Sequence, residues 1–222
     1  MGEGGFVAAD DCIQERIVRS FREWGRDCYC VGLKANLLKN GTCKKRFSEW
    51  LPELRGEIFD HKYVYGEIGY NLKPIELQAS MGLDKIEKLD EIHQKRKENY
   101  SQLFDVFEKY EEYFYLPRAT EKSDPSWFAF PLTIKDGVPF NRWDICEFLE
   151  DKKIQTRQYF GGSLMLQPAY THLMDSKEDI EKFPNARKVT TDTFFLGTSP
   201  VLDEEKINYV GEVVDEFMGR FE

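Results

Sequence analysis

A run of helical periodicity begins at Pro74 and persists to about Phe114, and it sets the terms for the rest of the fold. Leu77, Met81, Ile86, Leu89 and Ile92, then Tyr100, Leu103, Phe104 and Phe107, recur at the spacing that gathers side chains on one helical face. Lys85, Glu87, Lys88, Glu91, Lys95 and Lys97 read as the solvated face opposite. Pro74 and Glu76 suit the first turn, where proline loses no hydrogen bond and a carboxylate meets the positive end of the helix dipole. The apolar stripe must be covered, and the chain beyond Pro117 offers the elements to do it. Residues 127–134 read as a strand, made an edge or irregular one by Pro131. Residues 141–151 read as a helix, 155–160 as a strand closed by Gly161 and Gly162, and 180–191 as a helix. Residues 194–197 read as extended, and Asp203 caps a last helix with Ile207, Val210, Val213, Val214 and Phe217 on one face. The expected class is α/β passing to α+β.

The first residues have a different character. Gly2, Gly4 and Gly5 lead into residues 6–9, an apolar run that reads as a strand, and Asp10 and Asp11 offer an N-cap for a helix through Ile13, Ile17, Phe21 and Trp24. A strand–helix unit needs neighbouring strands that the sequence does not supply, so the expectation is that Met1 starts or restarts a longer protein. Residues 61–74, with two glycines and three tyrosines, read as a strand or extended segment ending in a turn. Three of the five cysteines sit between these parts, spaced Cys28-x-Cys30-x12-Cys43. Asn40-Gly41 is a strong turn signal that can fold Cys43 back toward the pair. Gathered thiolates suit a soft metal or an iron–sulfur cluster, and three unrelated loop thiols is the alternative.

The bulk composition narrows the partners. A net charge of −9, from 40 acidic and 31 basic residues, argues against nucleic acid. An odd cysteine count argues against a secreted disulfide scaffold. The N-terminus has no basic or apolar leader region, and no apolar run approaches a bilayer span, so the expected localisation is cytoplasmic and off the membrane. No G-x-G-x-x-G, Walker or G-x-S-x-G motif occurs. His61, His93 and His172 are scattered and read as structural or exposed, while Cys12 and Cys146 read as small hydrophobes. Arg157, Gln158 and Tyr159 end a strand beside a glycine pair, where substrate-facing polar groups often lie; a surface arginine and a half-buried tyrosine is the other reading.

The stretches GEGGFV, GYNLKPIELQASMGLDKIEKLDEIHQKRKENY, SWFAFP, TRQYFGGSLMLQPAY and LGTSPVLDEEKINYV occur in an order that resembles the DegT-type, pyridoxal-phosphate-dependent sugar aminotransferases. The likeness covers essentially all 222 residues. FREWGRDCYC followed by TCKKRF is similar to that family's CDP-4-keto-6-deoxyglucose 3-dehydrase branch, which is associated with lipopolysaccharide biosynthesis and carries a [2Fe–2S] cluster beside pyridoxamine phosphate.

This resemblance implies a fold type I architecture. Residues 1–60 would be a remnant of the large cofactor domain, its last strand and helix with the cysteine loop. Residues 61–222 would be the small C-terminal α+β domain, including the long helix from about 74. The catalytic base, a lysine in the aminotransferases and a histidine in the 3-dehydrases, would precede Met1, leaving no catalytic residue in this chain. Cys28, Cys30 and Cys43 would be three cluster ligands, although the loop before Cys43 is longer than the family's and the fourth cysteine would lie upstream. Asn71 would reach across a homodimer to the cofactor phosphate of the partner subunit. Phe128 stands where aminotransferases have histidine, and Arg157, Gln158 and Tyr159 would belong to the sugar-nucleotide pocket. The implied reaction removes the 3-hydroxyl of a nucleotide-linked 4-keto-6-deoxyhexose, with pyridoxal or pyridoxamine 5'-phosphate as cofactor. Electrons would come from a flavin/iron–sulfur reductase, in dideoxysugar and O-antigen biosynthesis. A sugar aminotransferase that retains a cysteine-containing loop, and a non-catalytic dimerisation module, are the alternatives.

Overall fold

The computed structural model describes residues 2–28, 43–174 and 177–221, so Cys30 and most of the cysteine loop lie outside the described residues. The chain forms two compact units, Met1–Glu87 and Lys88–Glu222.

The second unit is an α+β layer. Its sheet has four strands in the order β3-β4-β6-β5, with β3 at Phe114–Tyr115, β4 at Ala129–Ile134, β5 at Arg157–Gln158 and β6 at Thr193–Gly197. Every pairing is antiparallel. Along β4 burial alternates, with Phe130, Leu132 and Ile134 turned to the core. These meet Phe194 and Leu196 of β6, Leu103 and Phe107 of helix α3 (Leu89–Glu108), Ile145 and Leu149 of α4 (Arg142–Asp151), and Val214 and Phe217 of α6 (Glu204–Met218). Full burial of each such side chain is worth roughly 1.5–3 kcal/mol, which makes this core the main source of the unit's stability. Local signals set the helix starts. Asn141 Oδ1 accepts from the Trp143 amide at 2.8 Å while Asp144 accepts from the Asn141 amide, and Asp203 accepts from the Lys206 amide. Buried Asn99 of α3 donates to the Ser199 carbonyl at 2.8 Å, pinning the loop that precedes α6.

Three expectations change here. The single long helix is two, α2 at Glu76–Ile86 and α3, interrupted at Glu87 and Lys88. Charge marks the break: Lys85 lies in the last turn of α2, and Asp90 and Glu91 lie in the first turn of α3, each favourable to its own dipole end. The helix also stops before Phe114, which belongs to β3. Pro131 is not on an outer strand, since β4 is flanked by β3 and β6. However, β3 pairs only with Thr133 and Ile134, so Pro131 has one neighbouring strand, as it would at an edge. The strand expected over 155–160 is ordered as a ladder only at Arg157–Gln158.

The first unit is built differently. Helix α1 (Cys12–Arg22) starts at Asp11, whose carboxylate accepts from the Ile13 and Gln14 amides. Cys12 is exposed there rather than buried as a small hydrophobe, because the first helical turn points it outward. Residues 6–9 form no strand: they have no ladder partner among the described residues, and Phe6 is 94% exposed. A short pair, β1 (Phe47–Ser48) with β2 (Phe59–Asp60), closes the far side of the cysteine loop. Among the described residues of this unit no apolar side chain is buried.

Candidate functional site

In the first unit the site is organised by a ribbon. The chain leaving α1 runs antiparallel to residues 63–72. Glu23 bridges Asn71, and Arg26 bridges Tyr65. The Trp24 amide donates to the Tyr70 carbonyl at 3.0 Å, and the Leu72 amide to the Arg22 carbonyl at 3.0 Å. The two strands of the ribbon cross at glycines. A Cβ on Gly69 would lie 2.2 Å from the Gly25 nitrogen, and one on Gly25, at φ +80°, would lie 1.8 Å from the Glu67 carbonyl oxygen. Only hydrogen fits at either position. Asn71 is thereby fixed by its backbone at one end, with its side-chain amide exposed and without a protein partner among the described residues. A fixed backbone and a free amide fit one contact to an anionic oxygen, the part expected of it toward a cofactor phosphate.

The other end of the ribbon is the stem of the cysteine loop. His61 joins its two sides: its amide donates to the Arg46 carbonyl at 2.8 Å, and its Nε2 lies 3.0 Å from Asp27 Oδ2. Its ring stacks on Trp50 with centroids 3.8 Å apart. Asp27 adjoins Cys28, and Arg46 follows Cys43 by three residues, so one histidine ties together the two ends from which the thiols project. Arg46 also hydrogen-bonds Asp60, whose carboxyl is held below its ordinary value by that guanidinium. Cys28 and Cys43 are each half-buried. Among the described residues no three of His, Cys, Asp and Glu converge where a metal could sit. Of the three expected ligands the described part contains Cys28 and Cys43, and Cys30 lies outside it.

The remaining expected residues sit in the second unit, Phe128, Arg157 and Tyr159 on the face of the sheet turned away from the core, and Gln158, the register partner of core residue Phe194, on the opposite face. Phe195 of β6 lies outside the core cluster, and Arg157 is its register partner on β5. The Phe195 ring contacts Phe128 at 6.1 Å, Tyr159 at 6.5 Å and Phe160 at 5.6 Å between centroids, and Phe128 stacks on Phe160 at 6.1 Å. Phe128 and Tyr159 are therefore brought together, with Arg157 and Gln158 on the adjoining strand. Phe128 and Phe160 remain 63% and 65% exposed, so the patch is an open aromatic surface. Sequence reasoning missed Phe160, Phe195 and Arg96, whose guanidinium carbon lies 5.9 Å from the Phe128 ring centre. The glycine pair after Phe160 was the available signal for it. Arg96 had none, because it stands in a Lys/Glu-rich helical stretch. A separate groove beside α6, lined by Leu103, Ile154, Leu202 and Tyr209 among others, contains none of the expected residues.

The profile of the DegT/DnrJ/EryC1/StrS aminotransferase family matches residues 1–215. The lipopolysaccharide biosynthesis protein RfbH of Salmonella typhimurium is 40% identical over 99% of this chain and 48% of its own length. The dTDP-4-dehydro-2,6-dideoxy-D-glucose 3-dehydratase of Saccharopolyspora spinosa is 36% identical over 99% of the chain and 46% of its own length. The chain thus spans about half the length of the curated relatives it matches. Among solved structures, an aminotransferase from Psychrobacter cryohalolentis superposes with a TM-score of 0.65 at 17% identity, covering 93% of this chain and 49% of that one. At that identity the likeness is one of fold, the aminotransferase fold, and the antiparallel sheet with its helices agrees with it. Among the described residues no helix is long and apolar enough to cross a membrane. With a family profile covering nearly the whole chain, this protein belongs to the DegT/DnrJ/EryC1/StrS aminotransferase family.

Proposed function

We propose that this chain supplies the C-terminal portion of a pyridoxamine-phosphate- and [2Fe–2S]-dependent dehydrase that removes the 3-hydroxyl of a nucleotide-linked 4-keto-6-deoxyhexose. The observation that carries this reading is Phe128, an exposed apolar ring immediately before β4, packed on Phe160 and Phe195. An apolar ring there leaves no proton-transferring side chain at a position where the aminotransferases carry histidine, which argues against amino transfer. Two relatives matched over almost all of the chain add support, one of them named as a 3-dehydratase.

Within that reading each residue has a task. Pyridoxamine phosphate, when bound, supplies an electron sink. Asn71 donates its amide to the cofactor phosphate of the partner subunit in a homodimer, without adding charge. Arg157 and Tyr159 face the nucleotide sugar, and Gln158 lies between them on the strand with its side chain on the other face. Cys28, Cys30 and Cys43 are thiolate ligands whose cluster would bring one-electron chemistry, and a flavin/iron–sulfur reductase is the partner that such chemistry needs. His61 holds the ends of the loop that carries them.

The test is anaerobic reconstitution of the protein with iron and sulfide, followed by its visible spectrum, for the native sequence and for Cys28→Ser. A cluster band in the native protein that disappears in the variant is expected. A band that persists in Cys28→Ser would show that the thiols are misassigned, and no band in the native protein would remove the cluster from the proposal.

A further inference from the structure

Arg142 is buried where its own helix gives it no reason to be. It stands in the first turn of α4 at 6% exposure, and a cation there meets the positive end of that helix's dipole. Its Nη1 reaches instead to the end of helix α5 (Pro184–Asp192), donating to the Thr190 carbonyl at 2.7 Å and to the Thr193 carbonyl at 3.3 Å. The last four carbonyls of a helix have no partner within it, and a guanidinium at that end meets the negative pole. Arg142 therefore serves α5, 48 positions along the chain, and not the helix that carries it.

Thr190 passes that anchor on. Its hydroxyl donates to the Ala186 carbonyl at 2.6 Å and accepts from the Ser163 amide at 2.8 Å. Ser163 is buried, so its amide without this oxygen would be a donor cut off from water. Gly162 has φ +60°, and a Cβ on it would lie 2.6 Å from Thr190 Oγ1 and 2.9 Å from Thr190 Cγ2. Glycine is required there by the backbone and by the closeness of Thr190 together. The Gly162 amide in turn donates to the Tyr159 carbonyl at 3.1 Å, and the Gln167 side chain donates to the Gly161 carbonyl at 2.9 Å. The contacts run unbroken from Arg142 to Tyr159.

We propose that Arg142 and Thr190 are positioning residues for Tyr159. Arg142 fixes the last turn of α5, and the Thr190 hydroxyl fastens to it the turn from Tyr159 to Ser163. The inference rests on the nucleotide-sugar reading above and deepens it by naming what holds the turn in place. Tyr159 stands just past a ladder of only two residues, Arg157 and Gln158, which gives the chain beyond it little direction. A second attachment on the far side of Tyr159 supplies that direction, and the Ser163 amide is the point where it is made. A hydroxyl suits the junction because it donates and accepts at once, closing the helix end with its proton and holding the turn with its oxygen.

The experiment compares Thr190→Val, which keeps the shape of the side chain and removes its hydroxyl, with Thr190→Ser, which keeps the hydroxyl and removes the methyl. Two quantities are read for each variant and for the native chain: amide hydrogen exchange at Ser163, and affinity for CDP-glucose and GDP-mannose by calorimetric titration. Thr190→Val should speed exchange at Ser163 about threefold or more and weaken the nucleotide sugars by a similar factor, the range for one lost neutral hydrogen bond. Thr190→Ser should stay near native in both. Arg142→Met should act in the same direction by about tenfold, as expected for a hydrogen bond to a charged group, and Arg142→Lys, which keeps a donor, should recover part of the loss. A packing role reverses the order of the threonine variants, because Thr190→Ser would then be the more damaging, and that result would overturn the proposal. So would unchanged exchange at Ser163 in Thr190→Val, or faster exchange with unchanged affinity. A native chain that binds neither probe would overturn the nucleotide-sugar reading itself, and the positioning role with it, whereas native binding that Thr190→Val leaves intact overturns the positioning role alone.

Discussion

Arg46 and Asp60 show how much a single pair contributes to the cysteine stem. The carboxyl of Asp60 is lowered first by its hydrogen bond to Arg46 and then by the Lys62 amide. A carboxylate with a lowered folded value stabilises the fold above its ordinary value of 3.8, and that contribution is lost as the pH falls through the folded value. The pair is partly exposed, so its effect is local. Amide exchange at Phe47 and Ser48, corrected for intrinsic rates, should therefore be independent of pH above 3.8 and accelerate below it, and Asp60→Asn should abolish that dependence. Equal acceleration in Asp60→Asn would assign the effect elsewhere. Residues whose role is local were legible in the sequence: Asp11 and Asp203 cap helices through amides two or three positions away. Arg96 was not legible, because what distinguishes it is the ring of Phe128, 32 positions along the chain, a contact that no spacing rule reports.

The ribbon and the sheet place these side chains, and they do so by different means. In the ribbon, backbone hydrogen bonds and a glycine crossing hold Asn71 at one end and the loop stem at the other. Gly69→Ala forces a Cβ to within 2.2 Å of the Gly25 nitrogen, and the ribbon must separate. The expected loss is about 3 kcal/mol or more, among the larger single-substitution effects. Amide exchange at Trp24 and Tyr70 should rise together in that variant, while the α6 amides stay protected. An unchanged ribbon would mean that the crossing has room to relax. Strand positions in the sheet were read correctly where residues alternate, as in β4. They were read too long at 155–160, where Lys153 and Phe160 at positive φ bracket a two-residue ladder. The break between α2 and α3 was hidden by apolar spacing that continues through it, and only the change of charge sign from Lys85 to Asp90 and Glu91 marked it.

Between the two units the apolar side chains divide unevenly. Every buried hydrophobic residue among the described ones lies from Leu103 onward, whereas Ile13, Ile17, Phe21 and Trp24 of the first unit stay between 37% and 62% exposed, and Ile68 reaches 94%. Without a buried core, hydrogen bonds alone leave a unit only marginally stable, since each contributes roughly 1 kcal/mol net. Limited proteolysis of this chain should therefore cut first within the first 87 residues and leave the second unit intact. Equal resistance of both units would show that the first buries apolar surface in solution. The fold of the second unit was readable because its core is self-contained. That of the first was not, because its amphipathic α1 and the run at residues 6–9 find no covering partner among the described residues.

What separates a dehydrase from an aminotransferase in this family is the fate of one oxygen, so the decisive measurement is the mass of the product. A protein containing this chain would be supplied with a nucleotide-linked 4-keto-6-deoxyhexose, pyridoxamine phosphate and a reductant. The predicted result is a sugar nucleotide that has lost its 3-hydroxyl oxygen and gained no nitrogen, with turnover abolished by Cys28→Ser. An amino sugar that retains its 3-hydroxyl would contradict the proposal.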